Sequence, residues 1–236
     1  EYIIKSTSHY IDGITENQEF AGTLGAGRLD AEAACSLATA WAGDHVISNG
    51  QNITWSGYKI VAKKLTIESG GTLTIQGKVN LGPNAKIVVE RGAKLILDGC
   101  TLTTGCFDSM WYGIEVWGNP SIDQRTTASH GWLEIKNGTI IEHAKNAIYT
   151  GRLDGNMDWV WTHTGGGIVQ ATGCTFKNNG RSVEIMAFHN PVVSGKEPAN
   201  VNFFRNCTFE TTGYLRENLY VKNGVTCAPT YFVTVW

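Results

Sequence analysis

Charge is scarce in this chain. Asp, Glu, Lys and Arg make up 17% of its 236 residues, the formal net charge is -2, and no basic run occurs. Proteins that grip nucleic acid or an anionic membrane surface concentrate cations, so neither is an expected partner. Long apolar runs are also missing, which excludes membrane insertion by a hydrophobic span. The opening residues, Glu1 to Lys5, lack the layout of a signal peptide. The expectation is therefore that a signal was removed or that the chain is a piece of a longer one. Six cysteines form no dense disulfide framework and no Cys-x-x-Cys pair, and the six histidines show no metal spacing. No metal or cofactor is expected, and His143, His163 and His189 read as structural.

What the chain does have is a stretch written twice. Leu65, Ile67, Glu68, Gly70, Leu73, Ile75 and Gly77 return 22 residues later as Ile87, Val89, Glu90, Gly92, Leu95, Leu97 and Gly99. Apolar residues alternate within each copy, the period of a strand, and glycines mark the joins. A repeat of this length built from strands and turns predicts a stacked architecture. The fold class expected is all-β: a right-handed single-stranded parallel β-helix with a short N-terminal α-helical cap.

Four related turns follow, around Cys100, Thr139, Cys174 and Cys207, at intervals of 39, 35 and 33. Loops of about ten residues or more must therefore interrupt similar coils. Three insertions, 118–131, 150–165 and 190–200, lack apolar periodicity. Asn52, Asn137 and Asn206 head Asn-x-Ser/Thr triplets and read as turn residues at coil corners, where asparagine tolerates left-handed backbone. The domain reading is a helical leader over 1–52 and the β-helix over 53–236. In the leader, Asp30 is the expected N-cap of a helix over 31–41, with Glu32 in its first turn and Gly43 beyond its end. Leu29, Ala33, Leu37 and Trp41 would form its apolar face, covering the strand edges of the first coil.

Two resemblances rest on these residues. Gly25-Ala26-Gly27-Arg28-Leu29-Asp30-Ala31, followed by Ala34, resembles the closing helix of secreted bacterial subtilisin-like serine peptidases, over 30 to 40 residues. The family's serine, aspartate and histidine segments are absent, so no catalytic residue carries over. The chain then reads as the tail of such a peptidase domain and the module behind it. The coils resemble a secreted bacterial β-helix family related in fold to pectate lyases, over about 180 residues. That resemblance is carried by the two repeat copies, Trp111 to Gly118, Gly165 to Val169 and Phe176 to Asn179. Together they imply a secreted or cell-surface bacterial protein. A pectate-lyase-like fold by itself specifies no activity, because it hosts lyases, hydrolases, adhesins and inert stalks.

Strand parity sorts the side chains that could carry function. Ile114 and Val116 point inward, sending Glu115 and Trp117 out. Leu133 and Ile135 point inward, exposing Trp132 and Glu134. Val183 and Ile185 go in and Glu184 comes out, while Trp159 and Trp161 share a face of the 150–165 insertion. The candidate ligand site is thus a row of Trp117, Trp132, Trp159, Trp161, Glu115 and Glu134 along one wall. Flat rings suit stacking on sugar faces, and the accompanying carboxylates favour a neutral or cationic glycan over a polyanion. The alternative is that the inserted loops fold over the wall and these rings seal them. Glu115 with Glu134 is the carboxylate pair parity offers a glycosidase, though Asp123, Asp154 and Asp158 compete with it. Arg125, Arg152 and Arg181 are too scattered to single out a lyase base.

The expected function is a non-catalytic extracellular accessory module, binding a glycan or an extracellular protein or serving as a spacer. The rival is a polysaccharide lyase or glycoside hydrolase with its site on the outer wall. Cys174 and Cys207 are expected as reduced neighbours on an inner ladder. Cys100 with Cys106 is the better candidate for a bridge.

Overall fold

A computed structural model describes the chain apart from residues 1–3, 6–7, 13, 21, 24, 106–108, 155–158, 192–194, 196–197, 213–214, 217–219, 223–224, 228–230 and 236, and apart from the side chains of 37, 39–41, 220–222, 225–227, 231–232 and 234. Cys106 and Asp158 therefore lie outside the described residues. The chain divides into two compact units, 1–43 and 44–236.

The first unit contains helix α1 (Ala31–Trp41). Asp30 caps it as expected: the Ala33 N–H donates to Asp30 Oδ1 at 2.8 Å, satisfying one of the free donors of the first turn. His9 Nε2 lies 2.9 Å from the other carboxylate oxygen. The turn before the helix needs its glycine. Gly27 has φ 104° and pairs beside His9, and a Cβ there would sit 2.1 Å from the His9 carbonyl oxygen. Of the predicted apolar face, Leu29 is exposed and Ala33 half-buried, while Ala34 is the buried residue. Leu37 and Trp41 lie outside the described side chains.

The second unit is coiled from three strands per turn. The first coil holds β1 (His45–Ile47), β2 (Asn52–Trp55) and β3 (Tyr58–Val61), beginning within the stretch read as leader. The second holds β4 (Lys64–Ile67), β5 (Thr72–Ile75) and β6 (Lys78–Leu81). The third holds β7 (Lys86–Val89), β8 (Lys94–Asp98) and β9 (Thr101–Thr104). The fourth holds β10 (Gly113–Val116), β11 (Trp132–Lys136) and β12 (Ile140–Glu142). The fifth holds β13 (Asn146–Tyr149), β14 (Ile168–Thr172) and β15 (Thr175–Lys177). The sixth holds β16 (Arg181–Ile185), β17 (Phe203–Arg205) and β18 (Thr208–Glu210). After the β19 (Tyr220–Lys222) and β20 (Val225–Cys227) hairpin, β21 (Tyr231–Val235) adds to β16.

From β1 to β15, each strand pairs in parallel with the one three places on. The first sheet runs β1-β4-β7-β10-β13-β16-β21, and the second and third sheets have six strands each. That order is a right-handed parallel β-helix. The repeat copies explain the register, since Leu65 pairs with Ile87 and Leu73 with Leu95, a 22-residue offset that stacks like on like. Inward rows result: Leu65, Ile87, Ile114, Ile148 and Val183 on the first sheet, all fully buried. On the third sheet, Phe176 stacks on Phe209 with centroids 4.9 Å apart. Burying such side chains stabilises the trunk by roughly 1.5–3 kcal/mol each.

At the corners, Asn137 and Asn206 are left-handed, with φ 57° and 52°, as expected. Asn52 is not; it opens β2 as an extended residue. Where coils approach most closely, only glycine fits. A Cβ on Gly77 would lie 1.7 Å from the Gly57 oxygen. Among the described residues no helix is long and apolar enough to cross a membrane.

Candidate functional site

The three insertions leave the trunk at the same corner. They join β10 to β11, β13 to β14 and β16 to β17, each time passing from the first sheet to the second. Their bases are pinched by backbone bonds, Gly131 N to Trp117 O at 2.7 Å and Gly165 N to Thr150 O at 3.0 Å. They are also tied to one another. Gln124, almost wholly buried, accepts from Val201 N at 3.0 Å, and its Nε2 donates to the Gly166 and Gly167 carbonyls. Its own N–H donates to Asn190 Oδ1, and Asn190 Nδ2 reaches the Pro198 and Ala199 carbonyls. Buried amides of this kind need such partners, so the network fixes how the loops stack.

The 150–165 insertion raises one bank of a groove of about 780 Å³ over the outer face of the first sheet. Outward residues of that sheet form its floor: Lys64, Lys86, Glu115, Tyr149, Arg181 and Glu184. Leu153, Asp154 and Trp159 of the 150–165 insertion stand on one side. On the other side, corner residues include Tyr112 and Lys145, whose Nζ lies 5.0 Å above the Tyr112 ring and donates to Asn84 Oδ1 at 2.9 Å. Gly113 keeps the floor low between them, because a Cβ there would strike the Asn146 oxygen at 1.6 Å.

The floor's carboxylates are buried and matched. Glu115, 6% exposed, accepts from Lys86 Nζ at 2.8 Å and from Trp117 Nε1 at 2.9 Å. Glu184, 3% exposed, is held by Arg181 and Asn146. Tyr149 lies between them in the register, and burial pushes its phenol well above its ordinary pKa. Its ring meets Trp159 at 5.0 Å, and Trp159 stacks on the exposed Trp161 at 6.0 Å and 21°. Lys63 and Lys64, at the far end, make no ion pair among the described residues. Among the described residues, five basic side chains (Lys63, Lys64, Lys86, Lys145, Arg181) thus face three acidic ones (Glu115, Asp154, Glu184) around the groove.

This corrects the single wall expected from parity. Glu115 lies on β10 in the first sheet and Trp117 just past its end, whereas Trp132 and Glu134 are on β11 in the second, facing another side of the trunk. Parity separates in from out but cannot say which of three faces an outward residue occupies. Glu115 and Glu134 are therefore no catalytic pair. Glu134 is engaged by Lys136 at 2.8 Å and Lys94 at 2.9 Å, which hold its pKa below the ordinary value. Lys94 also lies 4.2 Å over the Trp132 ring. Trp117 is half-buried, with Arg152 4.5 Å over one side and His163 edge-on at 5.4 Å. It lines a separate hollow of about 340 Å³ with Glu90 and Arg91.

Of the six predicted residues, the groove gathers Glu115 and Trp159, with Trp161 stacked behind. Asp123 is paired with Arg125, away from the groove. Sequence reasoning named Arg181 only as one of three scattered arginines and missed the groove's four lysines, Tyr112 and Tyr149. Lys64 and Lys86 carried a signal: they stand 22 residues apart, each just before an inward Leu or Ile, and so stack.

Compared with known proteins, the chain matches no family model, no curated protein and no solved structure. Its fold is therefore argued from strand register alone.

Proposed function

We propose that this chain is a non-catalytic, extracellular glycan-binding module that seats a run of an acidic polysaccharide in the groove over its first sheet. The observation that carries this reading is the groove's combination of surplus lysine with an aromatic bank. The half-buried rings of Trp159 and Tyr112 offer apolar surface to sugars from the two sides of the groove, and Lys63 and Lys64 offer charge to their acidic substituents. The sign of the lining favours an acidic glycan over the neutral one expected from the sequence. Glu115 and Glu184 are held in ion pairs with Lys86 and Arg181, which favours binding over proton transfer at this floor.

The module serves as an accessory to a secreted subtilisin-like peptidase in this reading, a link supported by the Gly25–Ala31 resemblance and the capped turn that those residues form. Affinity electrophoresis through gels containing uronate-bearing or neutral polysaccharides tests the binding. Retardation in the acidic gels, weakened at least about tenfold (1.4 kcal/mol) by Trp159→Ala, is the expected result. Equal mobility in every gel would leave a spacer as the better description.

A further inference from the structure

Cys174 and Cys207 hold equivalent positions on consecutive coils. Their neighbours Thr175 and Thr208 pair in the register, and Thr208 N donates to the Cys174 carbonyl at 2.8 Å. Adjacent strands place such Cα atoms about 4.8 Å apart, within the range a disulfide spans. The thiols do not merely run side by side. Their sulfurs converge to 3.2 Å, closer than two sulfurs in ordinary contact. Cys100, by contrast, faces Thr139 across 3.9 Å. Access is unequal as well. Cys207 is half-exposed, whereas Cys174 is buried, and that burial pushes its thiol well above the ordinary pKa.

We propose that Cys174 and Cys207 form a reversible inter-coil disulfide, made by exchange with a small-molecule disulfide such as oxidised glutathione. Cys207 loses its proton to solvent, and its thiolate attacks one glutathione sulfur. The glutathione S–S bond breaks, and a mixed disulfide forms as one glutathione thiolate departs and takes up a proton. Cys174 sulfur then attacks the Cys207 sulfur, expelling the second glutathione, which carries off the Cys174 proton. Two protein thiols are oxidised and one glutathione disulfide is reduced to two thiols. The bond closes a loop holding Arg181, Glu184 and the 190–200 insertion, so oxidation clamps the β16 end of the groove, opposite Lys63 and Lys64.

The test uses the full chain, first reduced and then equilibrated natively with oxidised glutathione, quenched by alkylation and mapped by mass spectrometry. The expected result is one peptide pair joining Cys174 to Cys207, 2 Da lighter than the sum of its thiol forms. In the reduced chain Cys207 is alkylated before Cys174. The melting temperature rises by several degrees on oxidation in the parent, and does not rise in Cys207→Ser. Recovery of both cysteines as free thiols, a stable glutathione adduct on Cys207 alone, or pairing of either with another cysteine would overturn the proposal.

Discussion

The outer faces of the first and second sheets are built on the same trunk and share its register, yet they meet different surroundings. On the first sheet the outward row Thr66, Val88, Glu115, Tyr149, Glu184 is buried throughout. On the second, the matching row Thr74, Ile96, Glu134, Gln170 is half-exposed. The repeat alone does not create this difference. In the early coils the turns from first to second sheet are short, 48–51, 68–71 and 90–93. In the later coils they become 117–131, 150–167 and 186–202, and the second of these puts Leu153, Asp154 and Trp159 over the first face. A parallel β-helix thus separates stability from function: inward rows hold the coil, and corner insertions decide which outward rows become a site.

The largest effect expected from breaking this division is at an inward position. Val89 is fully buried on β7, so Val89→Asp leaves an unpaired carboxylate in the core and costs several kcal/mol in urea denaturation. The exposed Lys78→Gln should stay within about 0.5 kcal/mol. Lys94 is no neutral control, since it joins Glu134 and Trp132.

The two outward faces are compared directly by Glu184→Ala and Glu134→Ala. Removing Glu184 takes away the buried carboxylate that Arg181 and Asn146 both engage and should cost about 3 kcal/mol or more. Removing Glu134, whose side chain is 27% exposed, should cost under about 1 kcal/mol. Equal losses in urea midpoint would mean the first face is no better sheltered than the second.

A smaller effect reports on the loops themselves. His130 is wholly buried under the 118–131 insertion, with Nδ1 accepting from Asn119 N at 3.3 Å and Nε2 donating to the Asp123 carbonyl at 3.2 Å. Burial holds its pKa below the ordinary 6.5. The folded state thus binds the proton less readily than the unfolded chain. Stability from the neutral ring is complete above about pH 6.5 and falls away as pH drops through the lower folded value. Urea midpoints at pH 7.5 and 5.0 should diverge more in the parent than in His130→Gln, and equal divergence would count against this burial.

Much of the trunk was legible because its period is short and its copies are clean. Leu65 with Ile87, and Leu73 with Leu95, announce both the coil and its 22-residue register. Asp30 announced its helix because capping is a local interaction between a side chain and a backbone three residues on. The site was far less legible. Glu115 and Glu134 carry the same outward signal, and only the count of three strands per coil separates their faces. Trp117 and Trp132 are capped by Arg152 and Lys94, contacts made across long insertions or neighbouring coils that no local pattern records. Gln124 gave no signal at all, since its role depends on where two other loops come to rest.

The measurement that bears most directly on the sheltered groove is calorimetric titration of an acidic oligosaccharide into the parent and a Lys63→Gln/Lys64→Gln variant, at low and high salt. Both lysines end in the groove and neither holds an ion pair among the described residues, so the variant should fold and melt like the parent. The parent should bind, more weakly as salt rises, and the variant should lose at least about tenfold in affinity. Unchanged binding by the variant, or equally strong binding of a neutral oligosaccharide, would contradict the account.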